Sequence, residues 1–372
     1  MALLPNATLG LLGGGQLGQM FTLAAIAMGY RVAVLDPDPD SPAGRLANVH
    51  IQAAYDDRAA LDRLAAMAGA ITTEFENVPA ESLRHLERQV RVSPSSACVS
   101  IAQDRIAEKR YLAAQGFAVA PFLGIESLDD LEQDFSPLLP GIVKLARLGY
   151  DGKGQIRVDT QDDVRRAFAD LGQKACVLEQ RLELQTEVSA VIARTSSAEV
   201  ACYPVAENLH RDGILDVSIV PARVSGSVTD EATDMALRLA EALNYIGVLA
   251  VEFFVLADGR LLINEIAPRP HNSGHYTQDA CMACQFQQQV RTLCGLPPAE
   301  TRLLTPVVMA NLIGTPWHND APLIGKLLAQ PDFKLHLYGK KEARAGRKMG
   351  HVNILAASTE DALARLSSLR NW

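Results

Sequence analysis

Two apolar runs in the stretch 248–269, VLAVEFFVLADGRLLINEIAPR, flank Asp258-Gly259. That dipeptide is favoured in two-residue hairpin turns. A turn that tight sets Glu252 directly opposite Glu265 on one face of an otherwise apolar hairpin. Like charges so placed are destabilising, more so when half-buried. A divalent cation removes the conflict. Hard carboxylate oxygens suit Mg²⁺, which shares its sphere with nucleotide phosphates and water. Solvent-facing glutamates or a shared proton are the alternatives, and a bulge would alter the register.

The chain of 372 residues has room for two or three domains. Its opening alternates strand and helix: a strand at 8–12, a helix to Met28 stopped by Gly29, a strand at 31–35 ending at Asp36, a helix at 58–68, a strand at 70–76, a helix at 80–89 and a short run at 91–92. That order predicts a Rossmann-like parallel sheet covered on both faces. One long helix is expected over 96–115. Strands at 141–146, 155–158 and 175–180 then surround a helix at 161–171, and longer antiparallel strands follow at 187–194, 200–205, 214–220, 248–256 and 261–266. A last module begins after Gly295-Leu296-Pro297-Pro298, and the acidic stretch 126–140 reads as a linker. The expectation is α/β plus α+β, divided as 1–103, 104–300 with a small lid lobe at about 120–182, and 301–372.

At 48% hydrophobic and 21% charged the chain is neither fibrous nor mainly disordered. No apolar stretch is long enough to span a membrane, and the first cation is Arg31, too late for a signal peptide's basic start. A net charge of −8 argues against non-specific nucleic-acid binding. Six cysteines do not make a disulfide framework in a chain this long, and Cys281-x-x-Cys284, in a helix-like run, reads as packing. A reducing cytoplasm is expected.

Gly13-x-Gly15-x-x-Gly18 follows a strand and opens a helix, and Asp36 ends the next strand. Backbone N–H groups and the helix dipole there favour an anion. An NAD-dependent oxidoreductase and a phosphorylated sugar site both remain open from this segment. Lys144, inside the apolar run 141–145, needs an anionic partner. The loop Gly149-Tyr150-Asp151-Gly152-Lys153-Gly154-Gln155 can bring its backbone close to phosphates, although it is not a Walker A sequence. Glu179 and Glu187 could hold adenosine hydroxyls or an amine, or could simply be solvated.

With the glycine loop, Thr73-Glu74-Phe75-Glu76-Asn77-Val78-Pro79, the GYDGKGQ loop and Asn264-Glu265-Ile266-Ala267-Pro268-Arg269 in place, the chain closely resembles the N5-carboxyaminoimidazole ribonucleotide synthetases of the ATP-grasp superfamily, from about residue 8 to about 355. The resemblance implies an ATP-grasp fold with an N-terminal pre-ATP-grasp domain and a small C-terminal module. It also implies ATP- and bicarbonate-dependent carboxylation of 5-aminoimidazole ribonucleotide through carboxyphosphate, in purine biosynthesis, by a cytoplasmic homodimer using Mg²⁺ or Mn²⁺. Arg105, Lys144, the 149–155 loop, Glu179, Gln180, Arg181, Leu182, Glu187, His210, Asn264 and Glu265 match the nucleotide site, with Glu252 and Glu265 as metal ligands. Gly15, Gln16 and Leu17 match part of the ribonucleotide phosphate site, and Glu76 a contact to the ribonucleotide. Arg269, His271, Asn272 and Ser273 match the bicarbonate and imidazole region, over which Tyr150, Asp151 and Lys153 would close. Arg269 would orient the anion, and His271 is a candidate proton acceptor or else a structural histidine.

Two positions depart from wider patterns. Ala267 stands where many ATP-grasp enzymes carry a metal-binding asparagine, and Lys153 where arginine is common, which keeps charge but not a bidentate grip. The stretch 340–348 holds five cations in nine residues. It lacks the aromatics of a nucleic-acid patch, and the resemblance sets Lys340, Arg347 and Lys348 at the ribonucleotide phosphate. A formate-dependent glycinamide ribonucleotide transformylase and an oxidoreductase are the rival readings.

Overall fold

In a computed structural model the described residues are 2–149, 154–314, 321–340 and 342–370. Among them the strands form three sheets. The first is parallel, in the order Val49–Ile51, Arg31–Leu35, Thr8–Leu12, Ala70–Thr73, Arg91–Val92. Its near-continuous apolar strands are buried on both faces, as helix-covered parallel strands must be. Met20 and Phe21 of helix Gln16–Ala27 pack on one side with Phe286, Val290 and Leu293 of helix Gln285–Cys294. Leu61 and Leu64 of Arg58–Met67 and Leu83 and Leu86 of Ala80–Glu87 pack on the other.

The expected helix over 96–115 is two helices, Ser96–Ala102 and Arg105–Ala114. Asp104 breaks the run because its carboxylate accepts from the N–H groups of Ile106 and Ala107 and starts the second helix. The expected linker at 126–140 is part of a packed lobe. Ile125, Leu131, Phe135 and Leu138 are buried with Phe168 against a four-stranded antiparallel sheet. That sheet runs Phe122–Ile125, Cys176–Gln180, Gly141–Leu145, Gln155–Val158. Its helix, Gln161–Asp170, opens on a Thr160–Asp163 capping box.

The largest sheet orders Leu261–Ala267, Gly247–Leu256, Leu184–Arg194, Ala206–Arg211, Ile214–Val220, Val307–Ile313, Lys348–Leu355 and Phe333–Leu337. Antiparallel pairing of Val307–Ile313 with Ile214–Val220 makes the C-terminal strands a continuation of this sheet. Helix Gly226–Ala242 backs it through Val228, Ala232, Met235, Ala236 and Leu239. Cys281 lies in a bridge to Leu303 and Cys284 caps helix Gln285–Cys294, so the C-x-x-C is at a helix junction and not within a helix. No described helix is long and apolar enough to cross a membrane.

Candidate active site

Glu252 and Glu265 do pair across the hairpin. The turn, however, is one residue longer than expected. Leu256 N–H donates to Arg260 O at 2.9 Å, and Gly259 takes the left-handed conformation at φ 84°. That register would pair Glu252 with Asn264. A bulge between Phe253 and Glu252 inserts Asn264 and restores the opposition. Phe253 and Ile263 thus face the core, while Glu252, Asn264 and Glu265 all reach the cleft.

Each of the two opposed carboxylates also has a nitrogen partner. Arg105 Nη1 lies 2.6 Å from Glu265 Oε2. Burial pushes Glu265 up, but the Arg105 guanidinium outweighs it and holds the carboxyl well below its usual range. Glu252 is pushed up, first by burial and then by Glu265. Its Oε1 sits 3.0 Å from His271 Nε2. Lys144 finds the anionic partner its strand position demands: its Nζ donates to Glu179 Oε2 at 3.1 Å. Lys109 approaches the same oxygen at 3.4 Å, and Glu179 Oε1 is buried without a partner. His210 Nδ1 lies 3.4 Å from Glu187 Oε2. Burial pulls its pKa down, but Glu187 reverses that and raises it.

A directed chain of buried hydrogen bonds fixes His271. Ser218 Oγ donates to Asn208 Oδ1, Asn208 Nδ2 donates to Ser189 Oγ, and Ser189 Oγ donates to Ser273 Oγ at 2.7 Å. Ser273 in turn stands 2.9 Å from His271 Nδ1 through Oγ and donates its N–H to the same nitrogen at 3.3 Å. Nδ1 is therefore an acceptor, and the ring proton is on Nε2, facing Glu252. Burial, then Arg269 and Lys348, push His271 down to about 3. These bonds occupy Nδ1, and Nε2 faces Glu252. Ser273 is fully buried and lies behind His271, away from the cleft lining. Arg269 Nε donates to Glu76 Oε2 at 2.5 Å, and Gln103 Nε2 donates to Glu76 O, also at 2.5 Å.

The glycine loop is already filled. Glu74 accepts from Gly15 N–H and Gly18 N–H at 2.6 Å each, and Asp36 accepts from Gly14 N–H at 2.6 Å. The strand expected to run to 76 stops at Thr73 so that Glu74 can turn into the loop. Two internal carboxylates take the places a dinucleotide's pyrophosphate would need. Of the residues expected there, Gly15 serves this internal cap and Gln16 and Leu17 reach the cleft.

One continuous cleft of about 1310 Å³ gathers most of the expected residues. Of the residues expected at the nucleotide site, Arg105, Lys144, Gly149, Gln155, Glu179, Gln180, Arg181, Leu182, Glu187, His210, Asn264 and Glu265 line it. Of those expected at the bicarbonate and ribonucleotide sites, Gln16, Leu17, Glu76, Arg269, His271, Asn272, Lys340, Arg347 and Lys348 line it too. Gly154 instead closes a hairpin, its carbonyl accepting from Leu145 N–H, and Tyr150, Asp151, Gly152 and Lys153 lie outside the described residues. Sequence reasoning missed Glu74, Glu108, Lys109 and Arg344. Glu108 and Lys109 had a signal: with Arg105 and Leu112 they share one helical face, an odd place for three charges unless they are buried in pairs.

Residues 6–103 match the ribonucleotide synthetase pre-ATP-grasp domain, 110–286 the ATP-grasp domain, and 307–365 the phosphoribosylaminoimidazole carboxylase C-terminal domain. The N5-carboxyaminoimidazole ribonucleotide synthase of Brucella melitensis is 45% identical over 96% of this chain and 99% of its own length. That of Bacillus subtilis is 41% identical over 98% and 95%. A crystal structure of an N5-carboxyaminoimidazole ribonucleotide synthetase with ADP superposes with a TM-score of 0.95 at 43% identity, covering 100% of this chain and 98% of that one. The Aspergillus clavatus synthase, crystallised with ADP and 5-aminoimidazole ribonucleotide, gives 0.90 at 30% identity, with 98% of each chain covered. The two opposed glutamates, the cations before strand Lys348–Leu355 that share their cleft, and likeness over the full length agree, and the chain belongs to the N5-carboxyaminoimidazole ribonucleotide synthase family of ATP-grasp enzymes.

Proposed function

We propose that this chain carboxylates 5-aminoimidazole ribonucleotide to N5-carboxyaminoimidazole ribonucleotide with ATP and bicarbonate, as a carbon–nitrogen ligase of purine biosynthesis. One observation carries the reading. The glutamate pair and the cationic group Lys340, Arg347 and Lys348 line the same cleft, so a nucleotide and a phosphorylated ribonucleotide can be held facing each other.

A bicarbonate oxygen takes the γ-phosphoryl group of ATP, releasing ADP and forming carboxyphosphate. This divides into CO₂ and phosphate, and the exocyclic amine attacks CO₂ and sheds a proton to give the carbamate. Lys144, buried, and Arg105, partly buried, neutralise charge on the transferring group. Arg269, steadied by Glu76, orients the anion between the two halves. Glu179 Oε1, an unsatisfied buried acceptor, suits an amine of the adenosine. The donor set also fits a hard divalent cation. Glu252 and Glu265 offer carboxylates, and Asn264 Oδ1 between them in sequence is buried without a partner. Bound there, Mg²⁺ supplies charge neutralisation for phosphoryl transfer. A homodimer belongs to the same reading, and Leu23 and Ile26, 51% and 44% exposed on helix Gln16–Ala27, support it as an apolar face for a second copy.

The deciding assay is ADP release by the purified chain. Release that needs bicarbonate and 5-aminoimidazole ribonucleotide together supports the reading. Release that accepts formate with glycinamide ribonucleotide instead, or no release in any mixture, overturns it.

A further inference from the structure

The glutamate pair depends on a single inserted residue, and something must hold that insertion. Strand Leu261–Ala267 is the edge of its sheet, paired on one side with Gly247–Leu256. Its outer edge carries backbone groups that, among the described residues, no strand beyond Ile263 answers: Val119 bridges Ile263, whose N–H donates to Ala118 O at 2.8 Å, and there the bridge ends. Buried backbone groups left unpaired are costly, and a bulge weakens the ladder further. Two consecutive side chains of helix Arg105–Ala114 take over. Lys109 Nζ donates to the carbonyl of Asn264, the inserted residue, at 2.9 Å. Glu108 Oε1 accepts from Ile266 N–H at 2.8 Å. Both side chains are buried, at 1% and 3% exposure, and their two bonds fall on either side of Glu265.

We infer that Glu108 and Lys109 are positioning residues that lock the Asn264 bulge and thereby keep Glu265 opposite Glu252. They act as a strand neighbour made of side chains. Loss of the bulge would shift the pairing by one residue and set Asn264 against Glu252, since strand side chains alternate between faces. Lys109 also lies 3.4 Å from Glu179, so the same ammonium group ties the bulge to the smaller lobe beside Lys144. The inference rests on the reading of Glu252 and Glu265 as the divalent-ion pair.

The test is Mn²⁺ binding to the full chain with ADP, followed by electron paramagnetic resonance of free Mn²⁺, beside calorimetric binding of 5-aminoimidazole ribonucleotide. Lys109→Met should weaken Mn²⁺ about 10- to 100-fold, the usual cost of losing an outer support of a metal ligand. Lys109→Arg, which keeps a donor, should restore most of the affinity. Ribonucleotide binding should stay at the wild-type level in both, which a general loosening of the fold would not allow. Should Lys109→Met fail to fold, Glu108→Gln and Glu108→Leu make the same comparison at Ile266 N–H, with Gln tolerated and Leu not. Equal Mn²⁺ affinity in the wild type and the donor- or acceptor-less variant overturns the lock alone. If the wild type binds no Mn²⁺ with ADP, the reading of the glutamate pair falls and the lock with it.

Discussion

Replacing Arg347 by alanine separates the two halves of the cleft. The residue follows a turn closed by Arg347 N–H donating to Arg344 O at 2.9 Å, with Gly346 at φ 76°. Its Nη1 donates to Glu342 O at 2.8 Å, which anchors one arm of the guanidinium. The remaining N–H groups face a cleft shared with Gln16, Leu17, Lys340 and Lys348. A charge-assisted hydrogen bond to a phosphate contributes about 1.5–3 kcal/mol. At about 1.4 kcal/mol per tenfold, Arg347→Ala should raise the KM for 5-aminoimidazole ribonucleotide about 10- to 150-fold. The KM for ATP should stay near the wild-type value, because the proposed reading gives Arg347 to the ribonucleotide phosphate and Arg105, Lys144 and Glu179 to the nucleotide. Arg347→Lys should fall between, keeping charge and losing the fork. Steady-state ADP release, with one substrate varied against saturating amounts of the other, reads both constants. Equal increases in the two KM values would refute the placement of the phosphate.

Glu252→Ala and Glu265→Ala should each abolish ribonucleotide-dependent ADP release, and full turnover by either would remove the pair from the mechanism. Ser189→Ala should lower unfolding free energy by about 1–3 kcal/mol in urea, because Asn208 Nδ2 loses its buried acceptor and Ser273 Oγ its donor; an unchanged midpoint contradicts the relay. His275 and His351 are fully buried and stacked at 4.7 Å, and burial holds both well below the ordinary 6.5. Below about pH 6.5 the unfolded chain takes up protons that these native rings refuse, so stability should fall as pH drops, by up to about 1.4 kcal/mol per pH unit for each ring. Thermal melts across that range should show a shallower slope for His351→Gln, and identical slopes would contradict it.

Much of the site was legible because its chemistry leaves local marks. Acidic residues in an apolar hairpin, a lysine in a buried strand and a cationic cluster in an acidic chain all stand out against their surroundings. The hairpin register shows the limit of such reading. The turn is one residue longer than Asp258-Gly259 alone suggests, and the bulge at Asn264 cancels that error where it matters. The groups that answer the bulge sit on a helix some 155 residues earlier, so no local pattern could announce it. Helix Gly226–Ala242 went unread for a different reason. Its buried face is rich in alanine, which blurs the contrast on which periodicity depends. The stretch 126–140 looked like a linker because it is acidic and contains proline, yet Leu131, Phe135 and Leu138 alone suffice to pin it into a core.

The internal occupancy of the glycine loop changes what that motif signifies in this protein. Glu74 and Asp36 already accept from the Gly14, Gly15 and Gly18 amides, so of the first helix's start it is Gln16 and Leu17 that the loop presents to the cleft. On the proposed reading, recognition of the phosphomonoester is shared with Lys340, Arg347 and Lys348, more than 300 residues downstream, so the ribonucleotide pocket would be complete only when both ends of the chain have folded together. An isolated N-terminal fragment would keep the fingerprint and lose the ligand, and converting the loop to dinucleotide use would have to begin by deleting carboxylates and not by adding contacts.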